Sequence, residues 1–215
     1  MGERISNDLS QAGPSAEVST TAAASLAQVW AVFVPIDLAQ VFPKGSGPIP
    51  AVVGACDQTG PWDVVGSARL VRLADGTAVR EEILASDPCD GAAPTNGRAR
   101  FAYRVDGFTG PLAALTTAAF GEWTFVETAP GRTEIAWRYA FTPRSALVAP
   151  LLSALIALFW RSYMRRGIEN VRRLAQAGGD PGDDLGACRH GRDKCHQHVG
   201  RGHAVRRIGS IGRYP

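Results

Sequence analysis

Two adjacent carboxylates, Glu81 and Glu82, and an arginine twelve residues upstream, Arg69, are the groups in this chain of 215 residues most suited to chemistry. They fall where the sequence reads as extended strands, so side-chain parity governs what they can do. In the stretch Ala78–Ser86, Val79, Glu81 and Ile83 share one face, and Arg80, Glu82 and Leu84 share the other. A carboxylate turned toward an apolar interior acquires a shifted pKa and can act as a general acid or base. The competing reading, which weighs more, is a structural ion pair with Arg69 or another strand arginine that cross-links the sheet. Parity leaves open which carboxylate turns inward, and Arg69, in phase with Val65, Ser67 and Val71, raises the same question. Tyr103, Trp123, Trp137 and Tyr139 are aromatic candidates for a cavity lining, with plain core as the alternative. A tyrosine hydroxyl in a cavity needs a partner and can orient an oxygenated ligand. All four histidines, His190, His196, His198 and His203, lie near the C-terminus. The rest of the chain therefore lacks the commonest general base near neutral pH, which favours binding over catalysis.

The C-terminal segment also carries Cys188 and Cys195, so a metal site through Cys188, Cys195, His196 and His198 has to be weighed. Structural zinc sites show tight pairs such as C-x2-4-C, whereas six glycine-containing residues separate these cysteines. The expectation is no metal and no cofactor. The stretch "GSGPIP" lacks the spacing of a phosphate-cradling loop. The four cysteines are too few and scattered for a disulfide framework, and free thiols are expected. From Gly186 to Pro215 seven Lys/Arg face a single acid, Asp193, while the whole chain carries a formal charge of +3. The remainder is thus slightly acidic, and the basic surplus gives no reason to expect nucleic acid as a partner of the body.

The elements that position these groups follow from periodicity. Residues 1–14 are polar and read as a disordered lead without the apolar region of a signal peptide, so a cytoplasmic location is the default expectation. A short strand is expected near Ala16–Thr21. A helix capped by Ser25 or Thr21 follows, with Leu26, Val29, Trp30 and Phe33 on one side, and it is interrupted by Pro35 before a second turn of helix over Ile36–Phe42. Six strands are then expected, separated by turn signals: Val52–Asp57, Asp63–Leu73, Ala78–Ser86, Arg98–Asp106, Ala119–Glu127 and Thr133–Thr142. Asp75-Gly76 is the strongest hairpin signal. Clean alternation in the fourth and sixth strands gives the sheet one buried and one wet face.

A long helix is expected from Pro150 to about Ala175, ending before the breaker cluster "AGGDPGDD". The apolar run from Ala146 to Trp160 is fifteen residues, short of the roughly 20 that cross a bilayer. Trp160, Met164, Ile168, Val171 and Ala175 form a stripe that must face the sheet, and extending it backward places Ala157, Ser153 and Pro150 on the same side. Small residues there would leave room for a ligand. Leu151, Leu152, Leu155, Leu158 and Phe159 fall on the opposite side, where Leu151, Leu155 and Phe159 would meet a membrane surface or a second subunit.

Strand, helix pair, six antiparallel strands and long C-terminal helix is the order of the α+β helix-grip fold. The stretches "ASLAQVWAVF", "GPWDVVGSARLVRLADGTAVREEIL", "FAYRVDGF" and "GEWTFVETAPGRTEIAWRYAFTP" resemble the START-like SRPBCC superfamily, in its polyketide cyclase/dehydrase and lipid transport branch. The resemblance implies a curved antiparallel sheet wrapped around the last helix, with an internal cavity for apolar ligands. It covers a domain of residues 15–176, followed by a basic, disordered tail over 177–215. Its motifs are turns and core positions, which carry fold better than chemistry. Two functions follow as expectations: binding or transport of a small hydrophobic molecule, lipid-like or aromatic, and alternatively a cyclase or dehydratase acting on an oxygenated aromatic intermediate through Glu81 or Glu82, Arg69 and a tyrosine.

Overall fold

The computed structural model describes residues 13–88 and 97–178. Seven antiparallel strands form one sheet in the order β1-β7-β6-β5-β4-β3-β2. The strands are β1 (Ser15–Ala22), β2 (Val52–Cys56), β3 (Ala68–Leu73), β4 (Ala78–Asp87), β5 (Arg98–Asp106), β6 (Thr116–Ala129) and β7 (Arg132–Pro143). The α+β helix-grip architecture is the observed one. The alternation in β5 and β7 places Phe101, Tyr103 and Val105 beside Ile135, Trp137, Tyr139 and Phe141 on the inner face, all buried. The outer face carries ion pairs between neighbouring strands or strand positions, among them Arg80 with Glu82 and Arg100 with Glu122.

Helix α1 (Leu26–Phe33) begins at a capping box: the Gln28 amide donates to Ser25 Oγ, and the Ser25 amide donates to Gln28 Oε1. Helix α2 (Leu38–Val41) follows Pro35, with Asp37 as its cap. The strand expected over Asp63–Leu73 is shorter. Gly66 takes a φ of 88° and residues before it form turns, so pairing starts only at Ala68 and Val65 is left exposed. A helix that the sequence analysis did not anticipate, α3 (Gly110–Leu115), carries Pro111 in its first turn and leads directly into β6. Cys56, expected as a free thiol, is disulfide-bonded.

The last helix, α4, spans Ala146–Ala177 and changes character along its length. A 3-10 turn over Ala146–Val148 and an α segment over Ala149–Leu155 precede a π turn over Ile156–Trp160, after which Arg161–Ala177 is α-helical. The π turn overturns one expectation. A wider turn holds more residues, so the inward stripe continues backward from Trp160 at intervals of four, to Ile156 and Leu152, both buried. Ser153, Ala157 and Pro150 are exposed instead. Leu152 and Leu155, expected on the outer side, face the interior. The π turn is braced by the "GSGPIP" loop: Ser46 Oγ donates to the Phe159 carbonyl at 3.1 Å. Gly47 lies so near the Phe159 ring that a Cβ there would sit 2.3 Å from it.

By length and composition α4 could cross a membrane, more so than the fifteen-residue count implied. Its inner stripe is nonetheless core, with Leu152, Met164, Val171 and Ala175 almost fully enclosed. Met164→Ala is accordingly expected to cost about 2–5 kcal/mol in urea unfolding, as a large-to-small core change does. Ala157→Ser should stay within about 0.5 kcal/mol, as exposed substitutions do.

Candidate functional site

The interior between sheet and α4 is filled at one end and hollow at the other. Under α1, Trp30 and Phe33 pack onto Phe101, Trp123 and Phe125, with ring centroids 4.9 to 6.4 Å apart. Trp123 belongs to this solid end. It stacks flat on Trp137 at 4.6 Å and does not line the cavity, contrary to expectation.

The hollow end is a cavity of about 220 Å³. Val71, Val79, Glu81, Tyr103 and Val105 line it from β3 to β5, and Trp137 and Tyr139 from β7. Leu155, Trp160 and Tyr163 cover it from α4, while α2, the loop before β2 and the Phe108–Leu115 segment form its rim. Most of this surface is apolar. Of the residues singled out from sequence, Glu81, Tyr103, Trp137 and Tyr139 are brought together here. Ser153 and Ala157 lie outside on the far side of α4, and Leu155 and Phe159 are not free surface: Leu155 lines the cavity and Phe159 packs against the Gly47 loop.

Register decides the carboxylate question that parity left open. Arg69 pairs with Glu81 across β3 and β4, and Ala68 with Glu82. Glu81 turns inward beside Val79. Arg69 Nε and Nη2 both donate to Glu81 Oε2 at 2.9 Å, and both side chains are about nine-tenths enclosed. The Trp62 ring covers the guanidinium, whose carbon stands 3.8 Å from the ring centroid. Glu82 points outward and accepts from Arg80 at 2.7 Å, so it takes no part in the cavity. The structural ion pair and the cavity acid are thus one residue. Glu81 is tied to Arg69 through one oxygen while its side chain forms part of the wall.

Asp75, Thr77 and Thr109 add polar groups to the lining, and three tyrosines supply its phenol hydroxyls. Tyr103 lies over Gly121, its cross-strand partner, where a Cβ would come within 2.2 Å of the ring. Burial raises the Tyr103 hydroxyl well above the usual phenol range, and the nearby Glu81 carboxylate raises it further. The Trp123 and Trp137 side chains act in the opposite direction on that hydroxyl, and Trp137 Nε1 and Trp160 Nε1 are both buried without a hydrogen bond. Burial lifts Tyr139 and Tyr163 in the same direction, with Glu81 again contributing. All three phenols are therefore neutral donors at physiological pH. The rim residues from Phe108 to Leu115 and the lid residues Leu155 and Tyr163 were not legible as site residues; Pro111 after Thr109 was the one signal that a helix starts there. Among the described residues no cluster of His, Cys, Asp and Glu could hold a metal, and the Cys188, Cys195, His196 and His198 set lies outside them.

Two measurements test this arrangement. Glu81→Ala leaves a buried guanidinium unpaired and is expected to cost about 3–5 kcal/mol, whereas Arg69→Met combined with Glu81→Leu should recover most of that loss. Because the folded state holds the three phenols protonated, the stability they contribute is present below the unfolded tyrosine pKa of about 10 and is lost as pH rises above it. In a spectrophotometric titration, three of the four tyrosines should ionise only together with unfolding.

Comparison with known proteins agrees with this architecture. Ara h 8.0201 superimposes with a TM-score of 0.52 at 12% identity over 76% of this chain and 97% of its own. Norcoclaurine synthase from Thalictrum flavum, in complex with dopamine and hydroxybenzaldehyde, gives a TM-score of 0.50 at 12% identity over 80% of this chain and 91% of its own. At such identities the likeness is one of fold. No curated protein sequence matches. A family described as "Polyketide cyclase / dehydrase and lipid transport" does match, over residues 14–176. Together with the seven-stranded sheet closed around α4, that match places the chain in the polyketide cyclase / dehydrase and lipid transport family of the START-like SRPBCC superfamily.

Proposed function

We propose that the protein binds, and carries or presents, one small and predominantly apolar molecule with at least one hydrogen-bonding oxygen. The observation that carries this reading is the 220 Å³ cavity, whose predominantly apolar wall also holds neutral phenols, buried indole N–H groups and the Glu81 carboxylate paired with Arg69. An apolar skeleton gains from leaving water at about 25 cal/mol per Å² buried. An oxygen on it would give Trp160 Nε1 or a tyrosine hydroxyl the partner that a buried polar group requires. A lipid-like or aromatic ligand meets both demands, and its size is bounded by the cavity. Norcoclaurine synthase, a relative in fold, is described with two aromatic molecules of this kind bound.

Tryptophan fluorescence offers a direct test, because Trp137 and Trp160 line the cavity. Titration with an apolar fluorophore such as 1-anilinonaphthalene-8-sulfonate should quench both indoles and saturate at one molecule per chain. Leu155→Trp fills the space from α4 and should weaken that binding at least tenfold with the fold retained. Unchanged affinity in this variant would remove the cavity as the binding site.

A second reading rests on one specific observation. Glu81 is a carboxylate in the cavity wall, held by Arg69 through Oε2 alone, with Tyr103 on the adjacent strand β5 and Tyr139 also in the lining, from β7. Such a group could take a proton from carbon next to a carbonyl, as cyclisation or dehydration of an oxygenated aromatic precursor demands. Glu81→Gln keeps the shape and removes the base; turnover of candidate polyketides that survives this change excludes the reading.

A further inference from the structure

We propose that the outward face of α4 is a docking surface for an anionic lipid layer. Leu147, Leu151 and Leu158 are 88%, 59% and 69% exposed, the most exposed large apolar side chains on the helix. Only 28% of the most apolar eighteen-residue window of α4 is buried, although the same helix contributes to the core. The exposed positions follow helical spacing through Leu147, Leu151, Ala154 and Leu158 and then pass into Arg161 and Arg165. The apolar strip therefore ends in a cationic one.

Charge selects the occupant. Between Pro143 and Ile168 the chain has four arginines and no acidic residue. Arg144 is engaged with the Ala113 carbonyl and Arg166 with that of Gly45, whereas Arg161 and Arg165 have no ion pair among the described residues. A helix with leucines on one exposed strip and free arginines beside them suits the interface of an anionic bilayer, its apolar side chains entering the acyl boundary and its cations meeting the headgroups. A second copy of the chain fits less well. Two-fold pairing on the same patch would bring like charges together without an acidic counterpart. The surface lies on the outside of the helix whose Leu155, Trp160 and Tyr163 cover the cavity, so docking would bring that cover to the lipid. The inference rests on the exposed face and not on what the cavity binds.

The test uses the full chain and sedimentation with vesicles of phosphatidylcholine alone or with phosphatidylglycerol added. Binding is expected only to the anionic vesicles. It should fall at least tenfold in L151E/L158E and severalfold in R161Q/R165Q, with thermal melting and fluorophore binding in the cavity unchanged. Wild-type affinity in L151E/L158E would overturn the proposal, since attraction would then come from another basic part of the chain. It is equally overturned by an absence of binding to anionic vesicles, or by a concentration-dependent dimer that L151E/L158E dissolves in a protein that ignores vesicles. Because cavity binding is read separately, its failure and the failure of docking are distinguishable.

Discussion

The packing of α4 across the concave side of the sheet is the constraint on which the other features depend. Seven strands with one apolar face must bury that face, and a single long helix can do so only if its stripe stays in phase with the sheet from end to end. In this chain the stripe from Leu152 to Ala175 stays in phase because the helix widens once, at Ile156–Trp160. A wider turn leaves backbone groups poorly placed for their usual partners, and the Ser46 hydroxyl meets the Phe159 carbonyl at that point. The loop "GSGPIP", which lacks phosphate-binding spacing, is a brace for this helix. Its Gly47 admits the Phe159 ring at a distance no side chain would allow.

Filling and hollowing of the interior are two consequences of how the helices lie over the sheet. Where α1 descends, Trp30, Phe33, Phe101, Trp123 and Phe125 pack on one another in tilted and edge-on contacts. Beyond α1, among the described residues, α4, α2, the loop before β2 and the rim around α3 cover the sheet, and the cavity persists. Polar groups there are tolerated in proportion to their partners. Arg69 and Glu81 are admitted as a pair under the Trp62 ring, and the tyrosines as neutral hydroxyls kept so by loss of water. A wall of this kind suits a ligand that is mostly carbon with an oxygen to orient it.

Membership of the polyketide cyclase / dehydrase and lipid transport family fits this chemistry without choosing within it. The same wall serves a carrier, which needs only apolar fit, and a catalyst, which needs Glu81 as a base. The two uses differ in whether that carboxylate can be spared from Arg69. A cross-link that also holds β3 to β4 is expensive to release, since a buried guanidinium without its partner is strongly unfavourable. This physical tie is the reason the binding reading stands first.

Much of the architecture was legible from local pattern. The alternation of β5 and β7, the Asp75-Gly76 hairpin, a helix start capped by Ser25 or Thr21 and the stripe from Trp160 to Ala175 each depend on neighbours in the chain, so each element could be read before it was placed, and the structure chose Ser25 as the cap. The site was legible in part. Tyr103, Trp137 and Tyr139 share a parity that puts them inside, yet Trp123 has the same parity and ends in the solid half, because its fate depends on α1 lying above it. Glu81 and Glu82 were equivalent in sequence, and only the register of β3 against β4 sets Arg69 opposite one of them. The sequence by itself determined which residues alternate and which repeat along a helix, since those are properties of backbone geometry at short range. Tertiary structure alone decided that α4 changes phase at the π turn, exposing Ser153 and Ala157 and enclosing Leu152 and Leu155. That choice is made by the sheet and by the Ser46 loop, whose contact with Phe159 spans 113 residues of the chain.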